Sequence, residues 1–221
     1  MKKLSLLAVF VLILSSCSTV KITDSWKADD VSTVKNEHII VMARTDDQVA
    51  RQRFEQEIAD RLRAGGFNVT ESYKKFPAIS VNKKKTPEEV KQDIQILKNE
   101  GFEAVVLTVL RDKSKEIVTS ETGGYTTGGY YPSYYGPYYG GFGGYYGSVY
   151  SPYGYGYGGA YVPSETRTYT SETYVIETVV YDLKRADGKQ LVAVVTSEVT
   201  DPKSASKIAP EYAEKVLKSL K

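Results

Sequence analysis

Phe102-Glu103-Ala104-Val105-Val106-Leu107-Thr108-Val109-Leu110 is almost unbroken apolar sequence. A run of this length and β-branched content reads as a strand covered on both faces, so it belongs in the middle of a sheet. It continues in more polar form through Ile117 and Val118. Upstream, Thr86-Pro87-Glu88-Glu89 is a helix start, with proline at the first helical position and glutamate closing a capping box. Val90, Ile94 and Leu97 share one face of that helix, and Gly101 ends it.

The same alternation of strand and helix precedes it. Ile39-Ile40-Val41-Met42-Ala43 suits a buried strand. Thr45 to Gln48 reads as a capping box, with Asp46 and Asp47 favourable at a helix N-terminus. Phe54, Ile58 and Leu62 form an apolar stripe, Gly65-Gly66 stops the helix, and Phe67 to Ser72 is a second strand. Downstream, Thr168 to Leu183 and Gln190 to Val199 are rich in Val, Thr, Tyr and Ile, and Asp187-Gly188 between them supplies a hairpin turn. Ile208, Tyr212, Val216 and Leu220 mark a terminal amphipathic helix, which Pro210 delays or bends. The expected fold is an α/β (α+β) sandwich: a mixed sheet of about five strands with two to three helices. Residues 36–221 form one domain, interrupted by a long insertion.

That insertion, Gly123 to Pro163, holds 14 of the 19 tyrosines and 14 of the 18 glycines, and no Asp, Glu, Lys or Arg. Glycine makes ordering costly in entropy, so the expectation is a disordered loop between two strands without which the domain still folds. It is read either as a solvated spacer or as an aromatic patch suited to sugar rings and partner surfaces. Tyr130, Tyr131, Tyr134, Tyr135, Tyr138, Tyr139, Tyr145 and Tyr146 are the candidate binding residues. Base stacking on such rings normally accompanies a cationic groove, and the segment has no cation.

At the amino end, Lys2-Lys3 precedes eleven residues, Leu4 to Leu14, of which only Ser5 is polar. This is the layout of a secretory signal, and it is too short to span a bilayer. Leu14-Ser15-Ser16-Cys17 resembles a bacterial lipobox, in which the thiol of the cysteine receives diacylglycerol and the chain is cut before it. Residues 1–16 are then a signal peptide, and 17–35 a polar, lipidated tether. Within that tether, Trp26 either docks on the domain or dips into the lipid interface. Several acyl chains hold a protein stably to a membrane without a crossing helix. The absence of aspartate after Cys17 implies, by analogy, outer-membrane sorting facing the periplasm.

Loss of residues 1–16 removes Lys2 and Lys3 and leaves 27 basic against 27 acidic side chains. That balance argues against nucleic acid as a partner. Cys17 is the sole cysteine, so an exported chain of this kind relies on its core and not on disulfides. His38 is the sole histidine and sits beside a strand, which points to a structural role. The pairs Asp46-Asp47 and Glu88-Glu89 are explained as helix-start residues, and Asp29-Asp30 lies in the polar tether. No catalytic set, metal site or cofactor is expected, and the chain reads as a non-enzyme.

The lipobox, Asp24-Ser25-Trp26, the strand–helix pair from Ile39 to Leu62 and Gly101-Phe102-Glu103-Ala104-Val105-Val106 together resemble a family of bacterial lipoproteins without assigned activity. Their domain is similar to small α/β domains of envelope assembly factors, among them the curli-pore lipoprotein and activators of peptidoglycan synthases. The resemblance covers about residues 17–121 and 165–220. It implies a lipid-anchored, periplasmic binding or scaffolding adaptor for an envelope protein, or alternatively a peptidoglycan-binding module. The tyrosine–glycine insertion departs from that pattern.

Overall fold

The structure is a computed structural model that describes residues 19–77, 85–119, 141–143, 146 and 168–220. Its strands are β1 (Val20–Lys27), β2 (His38–Arg44), β3 (Asn68–Glu71), β4 (Ala104–Thr119), β5 (Thr168–Asp182) and β6 (Leu191–Thr200). Its helices are α1 (Gln48–Ala64), the single turn α2 (Ser72–Lys75), α3 (Pro87–Asn99) and α4 (Ala205–Ser219), with a 3-10 segment at Val31–Asn36. The six strands form one mixed sheet in the order β1-β6-β5-β4-β2-β3. β2 pairs parallel with both β4 and β3, while the other neighbours are antiparallel.

The mixed α/β class is the expected one, and the apolar run at 104–110 lies inside the sheet between β2 and β5. The extra strand is β1. Read as part of a tether, Val20–Lys27 instead pairs with β6 from Val20↔Val199 to Lys27↔Ala193, bulged between Ile22 and Asp24. An edge strand solvates one side, so Lys21, Asp24, Ser25 and Lys27 break the apolar signal and make it resemble a linker. Trp26 packs, half-buried, against the core cluster of one sheet face.

α3 starts as its sequence requires. The Thr86 hydroxyl accepts from Glu89 N–H at 3.2 Å, and the Glu89 carboxylate accepts from Thr86 N–H at 2.7 Å. α1 begins two residues later than its pattern suggests. Asp47, not Thr45, is the cap, and its Oδ1 accepts from Val49 N–H and Ala50 N–H at 2.9 and 3.0 Å. Pro210 lies within α4 without delaying it. The β5–β6 connection turns at Gly188, whose φ of +82° favours glycine.

Alternation along the strands divides the core in two. One face carries Ile39, Val41, Ala104, Val106, Ala193 and Val195 against Phe54, Ile58 and Leu62 of α1 and Ile208, Tyr212 and Val216 of α4. The other carries Ile40, Met42, Val105, Leu107, Val179 and Tyr181 against Val90 and Leu97 of α3. Phe142 and Tyr146 belong to the same cluster, with Trp26, Phe76 and Ile94 packed against it. Within the insertion between β4 and β5, Phe142 and Tyr146 thus pack on the core of the domain.

β4 and β5 outrun their neighbours. β2 leaves β4 at Val109, and β6 leaves β5 at Thr173, but the β4–β5 ladder continues to Thr119↔Thr168. The result, among the described residues, is a two-stranded ribbon. Ile117 near its end is 73% exposed.

Candidate functional site

The second face of the sheet, where the insertion returns to the domain, is the candidate site. Phe142 is fully buried and meets Tyr181 edge-on, with centroids 5.5 Å apart. Its N–H donates to Gln190 Oε1 at 3.0 Å, so a side chain supplies what a neighbouring strand otherwise would. Glycines on either side allow the close approach. A Cβ on Gly143 would stand 3.1 Å from Ile94 Cδ1, and one on Gly141 would press into the Asp187 carboxylate and lie 3.2 Å from Gly188 N. Gly141→Ala is accordingly expected to lower stability by about 1–3 kcal/mol through overpacking. Urea titration against wild type checks this, and an unchanged midpoint would show that the contact yields freely.

Tyr146 stacks on Phe142 at 5.3 Å between centroids. Two cations flank its ring: Arg44 Cζ lies 5.1 Å and Lys85 Nζ 5.6 Å from the centroid. Arg44 Nη1 also donates to the Tyr146 carbonyl at 3.1 Å. Each cation–ring contact is worth about 0.5–2 kcal/mol, more where water is excluded. Tyr146 is only 4% exposed. Of the candidate binding tyrosines it is the one described, and its ring faces Phe142 and the two cations. Tyr130, Tyr131, Tyr134, Tyr135, Tyr138, Tyr139 and Tyr145, with Leu14, Ser15, Ser16 and Cys17, lie outside the described residues.

Sequence reading missed Phe142. It is the one phenylalanine of the 123–163 segment, set in Gly140-Gly141-Phe142-Gly143-Gly144. A single large apolar side chain between residues with none is the signal that would have found it.

A second polar group is buried beneath α1. Arg51 and Glu55 pair at 3.1 Å, both almost wholly buried. The Glu55 carboxylate accepts from Ala43 N–H at 3.0 Å, from the Ser72 hydroxyl at 2.7 Å and from Tyr73 N–H at 2.8 Å. Arg51 donates to the carbonyls of Phe76 and Pro77 at 2.7 and 3.0 Å and to Ser72 Oγ at 2.9 Å. Burial pushes the Glu55 carboxyl upward, and these donors and Arg51 pull it back. The network ties α1 and the end of β2 to α2 and the two residues after it, so its chemistry is that of a clamp.

On the first face, the hydroxyls of Thr108 and Thr178 lie 2.8 Å apart, and Thr178 meets the Tyr212 phenol at 2.7 Å. Burial holds that phenol far above its ordinary range and hence neutral. His38 Nε2 lies 3.0 Å from Thr70 Oγ1 and its ring 4.5 Å from Phe102. No group of three or more His, Cys, Asp or Glu side chains among the described residues is arranged to hold a metal ion.

Glu37 is a buried carboxylate held on one side. Its Oε1 meets Lys184 Nζ at 3.1 Å, but its buried Oε2 has no hydrogen-bond partner among the described residues. Burial raises its pKa above the usual 4.5, Lys184 opposes the shift, and Asp182 and Glu103 add to it. The folded state thus holds the proton more tightly than the unfolded chain. The contribution to stability is full below the unfolded pKa and is lost as pH rises through the folded one. Glu37→Gln, an uncharged isostere, should raise the melting temperature by a few degrees at neutral pH. The gain should vanish below about pH 4, where wild type is itself protonated. Melts across that range check it, and a pH-independent difference would reject the titration.

No family model and no curated protein matches the chain. Among solved structures it is similar to the PelC dodecamer from Paraburkholderia phytofirmans and to a single-residue variant of that dodecamer. The first match has 14% identity, 91% of this chain and 95% of that chain covered, and a TM-score of 0.41. The second has 12% identity, 91% and 98% covered, and the same TM-score of 0.41.

Proposed function

We propose that this chain is a lipid-anchored, non-enzymatic adaptor of the bacterial cell envelope, held at the outer membrane through acylated Cys17 with its domain on the periplasmic side. The observation that carries the reading is Leu14-Ser15-Ser16-Cys17 at the end of a short apolar run behind Lys2-Lys3. Cleavage before Cys17 would leave β1 (Val20–Lys27) whole. No helix among the described residues is long and apolar enough to cross a membrane. On this reading acyl chains supply the attachment, and the partner is another envelope protein. The buried Tyr146 lends nothing to the alternative of a glycan-stacking face.

The test is the intact mass of protein extracted from membranes. Removal of residues 1–16 and addition of diacylglycerol to Cys17 are expected. Cys17→Ser should stay full-length and unacylated. An unmodified amino end in the wild type would overturn the reading.

A further inference from the structure

We infer that the turn at Asp187-Gly188 is a modification site, where the aspartate isomerises to isoaspartate through its own side chain. The inference stands apart from acylation of Cys17.

The chain holds one Asp-Gly step and no Asn-Gly. That step lies in the β5–β6 connection, where Lys189 N–H donates to the Ala186 carbonyl at 3.0 Å across the turn. Both residues of the step are exposed. Gly188 N–H donates to Asp187 Oδ1 at 3.0 Å, so the nitrogen that would attack already sits against the carboxyl group. Gly188 has no side chain to shield that nitrogen, and the space a Cβ would fill there is open. Exposed turns have little local stability, so the backbone rotation that the attack requires costs little here.

Two other aspartates give an internal comparison. Ser25 N–H donates to Asp24 Oδ1 at 2.7 Å, and Lys113 N–H to Asp112 Oδ1 at 2.8 Å. Both aspartates are exposed as well. There, however, the following residue carries a side chain and the backbone is held in a ladder. Asp24 and Ser25 lie against Thr196 and Val195, and Asp112 and Lys113 against Val175 and Tyr174. A paired strand resists the rotation that would turn its nitrogen onto Cγ. Proximity is thus common to the three steps, and freedom to rotate belongs to Asp187 alone of them.

The chemistry needs water and no other co-reactant. Gly188 N bonds to Asp187 Cγ and gives up its proton. The Cγ–O bond breaks, and the oxygen leaves as water with that proton and the carboxyl's own. Water then opens the cyclic imide. Attack at Cγ restores aspartate, whereas attack at the main-chain carbonyl carbon frees an α-carboxylate and routes the backbone through the side chain, one methylene longer. That added length falls beside the insertion. A Cβ on Gly141 would lie 3.2 Å from Gly188 N, and Gly141 precedes Phe142, whose N–H is held by Gln190. Isomerisation therefore disturbs the seat of Phe142.

The experiment holds the folded full-length protein in neutral buffer for several weeks. A lysine-specific protease then releases peptides 185–189, 22–27 and 99–113, and isoaspartate in each is scored by labelling with a protein isoaspartyl methyltransferase. Isoaspartate at 187 should accumulate about tenfold faster than at 24 or 112, because glycine leaves the attacking nitrogen unshielded. Asp187→Asn should react faster still, since ammonia leaves in place of water, and Asp187→Glu should give none, because the ring it would close is larger. Equal rates at the three sites, a silent Asp187→Asn, or isoaspartate at 187 that forms only in urea would each overturn the inference. The isomerised fraction, separated by ion exchange, should melt below the intact one. Equal melting would overturn the coupling to Phe142 and leave the modification standing.

Discussion

Phe142→Ala is expected to cost about 3–5 kcal/mol of unfolding free energy, as a fully buried phenylalanine does when truncated in a core that cannot collapse. Its ring touches Tyr181 and Tyr146, so the lost contacts belong to the second face of the sheet. The Gln190 amide would keep its backbone partner, but the apolar wall under Met42, Val90 and Tyr181 would open. Chemical denaturation with a near-ultraviolet signal from the tyrosines measures the loss. A second variant separates packing from mere presence of the segment: deletion of residues 123–163 should cost at least as much as Phe142→Ala. If deletion left the midpoint unchanged, the insertion would have no part in the core.

Glu55→Ala should be comparably severe, at about 3–5 kcal/mol. The cost comes from what remains. Arg51 keeps its charge in a site with almost no solvent, while Ala43 N–H, Tyr73 N–H and the Ser72 hydroxyl lose a common acceptor. A pair of apolar residues replacing both Arg51 and Glu55 should be far milder, because no unpaired charge is left buried. Urea titrations of the two single variants and the double variant give the coupling directly. Additive losses would show that the two residues stabilise the fold separately.

The sequence conveyed those features that rest on local pattern. The run from Ala104 to Leu110, the capping box at Thr86 and the stripe Phe54-Ile58-Leu62 each depend on residues within a turn or strand of one another. Asp47 was obscured because Thr45 and Gln48 satisfy the same spacing rule, although the shorter aspartate side chain is the one that reaches two N–H groups. β1 was hidden by its place at the edge, where half of its backbone faces water and polar residues cost nothing. The candidate site was the least legible. Phe142 and Tyr146 lie in sequence dominated by glycine and tyrosine, and their burial depends on Gln190, Arg44 and Val90, which are brought there only by the fold. Arg51 and Glu55 carry no local signal of burial, since nothing nearby announces that α2 will close over them.

The pairing of β1 with β6 also sets an order of events. The first strand of the domain waits for residues 193–199, which are synthesised only after every other strand of the sheet. Long-range closure of this kind is slow and leaves an open edge in the meantime. The sheet locks only when its final strand arrives beside its first.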